Sequence, residues 1–312
     1  LEQNALNAAK TRSALTRSGI ESVDDILNDL HVTSLERVFP EAGEHEARTR
    51  AAGLHRWYVL GFASEEDLDK AAERLAGVAE ISKVQFRTRL YRASDCKTYP
   101  FQATANGQTR ALVTADFNDP NLFWQWHYIN NADQAVATTS VAGADINVAD
   151  AWKLTAGNPE VIVAIVDEGV KYTHPDLAAN MWINPNPSPE YKNQDIHGWN
   201  FAADGPISWG QKGDSGHGTH VAGTVAAVNN NGIGVCGVAG GTGKGDGVRL
   251  MSCQIFSGDL TGDALVSSRA VKYAADHGAS ILQCSWGIKA GIYTSDNMFI
   301  KQSPMDYEAL QY

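Results

Sequence analysis

Cysteine is scarce in this chain, at 4 of 312 residues, which is too few for a disulfide scaffold. Cys253 and Cys284 fall in apolar, strand-like runs and Cys236 in a turn with a buried character, so all three read as small hydrophobes. No apolar run approaches the roughly 18–20 residues that cross a bilayer. Positive charge is also in short supply, with 25 Lys and Arg against 36 Asp and Glu. The deficit is uneven. Residues 1–110 hold 15 basic and 16 acidic side chains, leaving 10 basic and 20 acidic for the rest. A strongly acidic second part argues against nucleic acid as a partner and is compatible with cation binding. The length suits two domains. The chain starts at Leu1 with no export signal in view, as expected of a processed product.

Two segments carry chemistry. Val161 to Val166 is an unbroken apolar run, the pattern of a parallel strand buried on both faces. Asp167 ends it, at the carboxyl end of a strand, where open α/β sheets build their sites. A carboxylate there can hold the Nδ1 proton of a histidine and stabilise the imidazolium that forms in proton transfer. The second segment, Asp214 to Thr224, places His217 between Gly216 and Gly218 at the start of a helix. Val221, Thr224, Val225 and Val228 follow at helical spacing, and Gly223 is expected to let this helix pack closely. An acid and a histidine in this order are two thirds of a Ser-His-Asp triad. No serine after His217 lies in a Gly-x-Ser-x-Ala setting. His217 and His220, three residues apart, are also a conceivable metal pair, although zinc helices favour His-Glu-x-x-His.

Asp167-Glu168-Gly169 and the eight residues His217 to Thr224 resemble the first two signatures of the subtilisin-like serine proteases, a family with the chain order Asp, His, Ser. The resemblance runs from about Asn118 to Gly287, and Asn118 to Tyr128 is similar to the family's mature amino terminus. It implies a doubly wound, mostly parallel α/β sheet, with Asp167 orienting and His217 acting as general base, while His220 is structural. It also implies a substrate cleft edged by Leu260, Thr261 and Gly262 on one side and by Ser285, Trp286 and Gly287 on the other. Ser-Trp-Gly alone also fits a plain strand exit. One departure stands out: Glu168 occupies a position where the family usually has Ser or Thr. A second carboxylate near His217 would favour the charged imidazolium; the alternatives are that Glu168 points to solvent or helps to bind a cation.

The family's calcium site is implied as well, with Asp176 supplying the acid and Val228, Asn230, Ile233 and Val235 the loop ligands. Hard oxygen donors of this kind suit Ca²⁺. An extra residue in Asn229 to Val235 leaves the choice between Asn230 and Asn231 open, and an Asn/Gly turn without an ion also fits. Two other patterns are rejected. Gly232 to Gly237 matches G-x-G-x-x-G but follows a helix, so it fails the dinucleotide test. Gly240 to Gly247 lacks the first glycine and the Ser or Thr of a phosphate loop.

The remaining elements are predicted as follows. Leu250 to Phe256 and Ser280 to Cys284 are strands, joined by a helix over Thr261 to His277 that Gly278 ends. In the first hundred residues Ser22 caps a helix, Leu35 to Phe39 and His55 to Phe62 are strands, Ser64 starts a second helix, and Ile81 to Tyr91 returns as a strand. That order suggests a small ferredoxin-like α+β module over 1–92. A linker over 93–117 would hold the processing site, followed by the amino-terminal part of a catalytic domain over 118–312. By resemblance the small module is a prodomain that blocks the cleft as an intramolecular inhibitor; a generic accessory domain is the alternative.

The resulting expectation is a serine endopeptidase in zymogen form, secreted, periplasmic or at the cell surface, acting on protein or peptide substrates, with its serine beyond Tyr312. A catalytically inactive pseudoprotease that keeps the cleft is the second reading, and a metallohydrolase using Asp167, His217 and His220 the third. Lys289 to Tyr312 is expected to be a surface loop, and the sheet to be incomplete within these residues.

Overall fold

The apolar run that begins at Val161 becomes the centre of a parallel sheet. A computed structural model describes residues 17–62, 67–93, 117–133 and 140–312. In chain order its helices and strands are α1 (Glu21–Asp29), β1 (Val32–Arg37), α2 (Glu46–Ala51), β2 (Tyr58–Phe62), α3 (Leu68–Ala76), β3 (Tyr91–Arg92), α4 (Val148–Trp152) and β4 (Ile162–Glu168). They continue as β5 (Gly198–Asn200), α5 (His217–Ala226), β6 (Arg249–Phe256), α6 (Ala264–Asp276), β7 (Ile281–Cys284), β8 (Trp286–Gly287), α7 (Asp296–Gln302) and α8 (Pro304–Gln311). The described residues divide into two compact units. One draws on Leu1–Arg89, Asp263–Asp276 and Ile288–Tyr312, the other on Leu90–Gly262 and His277–Gly287.

The second unit is built on a four-stranded sheet in the order β5-β6-β4-β7. Every pairing in it is parallel. β4 is flanked on both edges, and Ala164, Ile165 and Val166 are fully buried, each large apolar side chain contributing roughly 1.5–3 kcal/mol. β7 has β4 on one side only, which explains why Cys284, expected in the core, is exposed. Cys236 and Cys253 are buried as expected.

α5 packs on this sheet through Gly218, Ala222 and Ala226, which are its buried residues. The expected face, Val221, Thr224, Val225 and Val228, differs: Val221 and Val225 pack only at the cluster's margin, and the helix ends before Val228. Small residues win the inner face because the helix lies so close to β4. A Cβ on Gly218 would stand 2.1 Å from the Glu168 carbonyl oxygen. Gly223, expected to serve close packing, faces open space.

The first unit has its own core of Val23, Leu27, Leu30, Val32, Leu35, Ala71 and Leu75, which joins α1 and α3 to the antiparallel pair β1–β2. α1 begins at Glu21, before the expected Ser22 cap, with Ser18 hydrogen-bonded to Asp24 instead. The second predicted helix starts at Leu68, capped by Asp67, whose carboxylate accepts from Lys70 N; Ser64 lies outside the described residues. Residues 81–88 form no ladder, so the predicted third strand is absent and the described sheet of this unit has two strands. Those residues run along α8 instead: Gln85 Nε2 donates to Asp306 at 2.7 Å and Lys83 pairs with Glu308. α6 belongs to this unit and is tied to α8 by Ser268 Oγ, which donates to Asp306 at 2.8 Å.

The expected surface loop over 289–312 is largely helical. Ser295 caps α7 by accepting from Met298 N, and Ser303 followed by Pro304 opens α8, with Met305 and Ala309 buried. Proline at a first helical position is a start signal. Of the predicted linker only Ala93 and Phe117 are described; residues 94–116 lie outside the described residues.

The two glycines of α5 give a direct check. Gly218→Ala should lower unfolding stability by about 1–3 kcal/mol through forced backbone shifts. Gly223→Ala should raise it by about 0.5–1 kcal/mol. Urea unfolding of both variants measures this, and equal effects would contradict the close approach at Gly218.

Candidate active site

Asp167 and Glu168 are consecutive in β4, so their side chains leave opposite faces of the strand. Asp167 is fully buried. Its Oδ1 lies 2.7 Å from His217 Nδ1 and also accepts from the Glu168 backbone N–H at 2.6 Å. Oδ2 is buried without a hydrogen-bond partner among the described residues. Burial pushes the Asp167 carboxyl above the ordinary carboxylate range, and the His217 contact opposes that shift.

His217 opens α5. Gly216 precedes it in the left-handed region at φ 78°, a conformation that suits glycine. Among the described residues the ring is hydrogen-bonded through Nδ1 alone. That geometry leaves Nε2 to exchange a proton with a substrate or a nucleophile.

Glu168, for which a place near His217, a solvent-facing one and a cation site were all open, is 1% exposed. Its carboxylate accepts from Ser215 N at 3.1 Å, Ser215 Oγ at 3.1 Å and His217 N at 3.0 Å. The unsatisfied N–H groups of a helix start favour an anion there, so Glu168 fixes the turn that presents His217. Its cationic partner is Arg92, with Nε 2.5 Å from Oε1. The contact is an ion pair, because that N–H does not point at the carboxylate in hydrogen-bond geometry. The guanidinium also lies 5.0 Å from the Phe256 ring centre and donates to the Gly258 carbonyl at 3.4 Å. The sequence showed that Glu168 was unusual but not which way it pointed.

Of the six residues expected to edge a cleft, four meet one short segment. Leu90 N donates to Gly262 O at 2.9 Å and Ala93 N to Ser285 O at 3.1 Å. Tyr91 pairs with Gly287 and Arg92 with Trp286, antiparallel. The Trp286 indole is held by its N–H donating to Val166 O at 2.7 Å. Leu260 closes a turn with Ser257 and is exposed, as is Thr261. His220 is exposed on α5, and no three His, Cys, Asp or Glu converge as a metal site among the described residues. The set Asp167, His217 and His220 is therefore not assembled.

Of the residues expected around calcium, Val228 and Val235 meet Asp176, which is buried. Its Oδ2 accepts from Val235 N at 3.0 Å and its backbone oxygen from Val228 N at 2.9 Å. Of the two asparagines it is Asn231 whose amide reaches Asp176, at 2.7 Å. Asn230 turns away, accepting from Asn118 N at 3.3 Å and donating to Thr242 O at 3.3 Å. Ile233 N bonds to Asn231 Oδ1. A second buried carboxylate, Asp119, was not foreseen. It accepts from Asn230 N at 2.6 Å and lies close enough to help raise the Asp176 carboxyl, a shift caused mainly by burial.

Residues 158–309 match the subtilase family. That segment of the chain belongs to the family. Among curated relatives, neuroendocrine convertase 2 of Bos taurus is 32% identical over 243 residues, covering 75% of this chain and 34% of its own length. Protease KEX1 of Kluyveromyces lactis is 28% identical over 276 residues, covering 86% and 30%. The chain thus spans about a third of the length of these relatives. Among solved structures, fervidolysin from Fervidobacterium pennivorans, a keratinolytic enzyme related to subtilisin, has a TM-score of 0.54 at 18% identity, covering 93% of this chain and 36% of its own. That likeness supports the α/β subtilase fold.

The raised Asp167 carboxyl has a thermodynamic consequence. A carboxyl raised by folding adds stability that is present below its unfolded value and lost as pH rises through its folded value. The ionised carboxylate therefore costs stability at neutral pH. Asp167→Asn should leave the urea midpoint at pH 7 unchanged or higher, with the difference shrinking toward pH 4. A variant markedly less stable at pH 7 would contradict this balance.

Proposed function

We propose that this protein is a serine endopeptidase in zymogen form that hydrolyses peptide bonds by acyl-enzyme chemistry. The observation that carries the reading is the 2.7 Å contact between Asp167 Oδ1 and His217 Nδ1. With Nδ1 so engaged, Nε2 takes the proton of a serine hydroxyl as the oxygen adds to the scissile carbonyl. Asp167 stabilises the imidazolium and holds the tautomer. The ring then protonates the leaving amine, and water repeats the sequence on the acyl-enzyme. The serine is proposed to come from polypeptide outside residues 1–312, and the protein to act outside the cytoplasm.

Residues 90–93 give the zymogen reading its physical support. They lie as an extended strand between Gly262 and the Ser285–Gly287 edge, where a substrate backbone would pair. The module that precedes them is proposed to be the prodomain and intramolecular inhibitor.

Calcium fits the donors around Asp176. Two buried carboxylates, Asp119 and Asp176, lie close together with no ion pair to Lys or Arg among the described residues. Asp119 and Asp176 would hold the ion with loop carbonyls, and the ion would neutralise the pair. Adding 1 mM Ca²⁺ after EDTA treatment should raise the thermal midpoint, by about 2.7 kcal/mol of stability at a hundredfold excess over Kd. Asp176→Asn should abolish the rise. An unchanged midpoint in the parent chain would remove the ion from the reading.

The nucleophile is tested by a fluorophosphonate probe. The full gene product should label at one serine, and His217→Ala should suppress labelling. Residues 1–312 alone should not label. Absence of labelling in the full product would favour a pseudoprotease that binds peptides without cutting them.

A further inference from the structure

The first unit gathers positive charge around a single carboxylate. Arg37 ends β1, Arg50 lies on α2, and Arg56 belongs to the tight turn Leu54–Arg56 that leads into β2. Glu46 pairs with Arg37 Nη2 at 3.0 Å and with Arg50 Nε at 3.0 Å. Its Oε2 also accepts from Ala42 N at 3.1 Å. Arg56 makes no ion pair among the described residues. Its guanidinium lies over Gly53, where a Cβ would stand 2.7 Å from Nη2. Three guanidinium groups therefore face one carboxylate, an excess of two positive charges. Glu308 of α8 is engaged elsewhere: it accepts from the Trp57 indole N–H at 2.6 Å and pairs with Lys83.

His55 sits among these groups. Burial, and then Arg50, Arg37 and Arg56, push its imidazole below the usual histidine range, with Glu46 opposing them. Its Nδ1 is buried and has no hydrogen-bond partner among the described residues. Tyr58, directly opposite Arg37 in the β1–β2 ladder, also lies near Arg37 and Arg50. Like charges held together repel, and buried polar atoms are ordinarily satisfied. One class of ligand answers both features: an anion with two negative charges and several acceptor oxygens.

We propose that Arg37, Arg50, Arg56 and His55 form a binding site for a divalent tetrahedral oxyanion, sulfate or a phosphate monoester. A dianion cancels the excess of two charges, and its oxygens meet the guanidinium forks in bidentate fashion. A further oxygen accepts from His55 Nδ1–H. A carboxylate carries half the charge and is planar, so it satisfies fewer of these donors. Arg37, with its side chain 6% exposed, is the inner wall, and the open Arg50 and Arg56 form the outer one. The ion ties β1, α2 and the start of β2 together, so its binding stabilises the first unit. The proposal stands whether or not the protein is a peptidase.

The test uses the full gene product carrying His217→Ala, so that its amino-terminal residues stay attached. Calorimetric titration with sodium sulfate, at fixed ionic strength in chloride, should show one saturable site per chain. Saturation separates binding from the general stabilisation by sulfate excluded from protein surfaces. Acetate at the same ionic strength should not compete. Arg56→Ala should weaken sulfate binding by roughly tenfold, the loss of one charge-assisted contact. Arg56→Lys should weaken it less, because the charge stays and the fork is lost. Arg56 is exposed, so neither variant disturbs the core. The His55 ring signal, assigned by His55→Gln, should titrate at higher pH in saturating sulfate than in chloride, because the dianion favours the protonated ring. Binding at a distant site would leave that titration unmoved. Phenyl phosphate separates the two sources: if it displaces sulfate the site accepts an ester, and if it is excluded the ligand is the free ion. No saturable sulfate binding, undiminished affinity in Arg56→Ala, or an unmoved His55 titration overturns the proposal.

Discussion

Two carboxylates at adjacent positions of one buried strand must be satisfied in different ways, and the candidate site follows from how each is met. Asp167 is compensated by one histidine nitrogen and one backbone N–H. Glu168 is compensated by three donors at the entrance of α5 and by a guanidinium. Burying a charge without such partners costs several kcal/mol. The histidine is thus positioned twice: Asp167 aims its ring and Glu168 holds its backbone. Neither contact survives alone, because both require β4 to end where it does and α5 to start where it does.

That requirement reaches into the packing. α5 can bring His217 to Asp167 only by lying almost on the carbonyl of Glu168, which leaves no room for a side chain at Gly218. Ala222 and Ala226 continue the same inner face with minimal volume. The larger Val221 and Val225 are displaced to the flanks. Close approach costs buried apolar area on the helix, and the uniformly apolar β4 beneath offsets that cost. Chemistry at the helix start therefore dictates residue size two turns away.

Much of this was legible in the sequence because it depends on local pattern. An apolar run ending in an acid can only be a buried strand with a charge at its end, and the residues from His217 to Thr224 are too specific to be a coincidence of composition. The strand boundaries in 249–284 and the stop at Gly278, with φ 79°, follow from the same local logic. What was not legible depends on partners distant in sequence. Ile81 to Tyr91 has the alternation of a strand, yet Lys83 and Gln85 meet α8 more than two hundred residues later. The inner face of α5 was misjudged because periodicity ranks residues by hydrophobicity and not by clearance. Asp119 was missed around Asp176, and the choice between Asn230 and Asn231 stayed open because the loop's extra residue shifts which amide turns inward.

Glu168 shows where such reasoning ends and why. A carboxylate next to this aspartate left its direction open in the sequence, since acids rarely bury without partners. Its burial becomes intelligible only when Ser215, His217 and Arg92 are seen together, and these lie 76 residues before it and 47 and 49 after it. Three of the four contacts come from Ser215 and His217 at the start of α5. The fourth is the only one that brings a full positive charge. The framework is thus satisfied largely by its own backbone, while its charge is balanced by Arg92 from an extended strand. The framework sets the position of the histidine, and the guanidinium neutralises the carboxylate buried beside it.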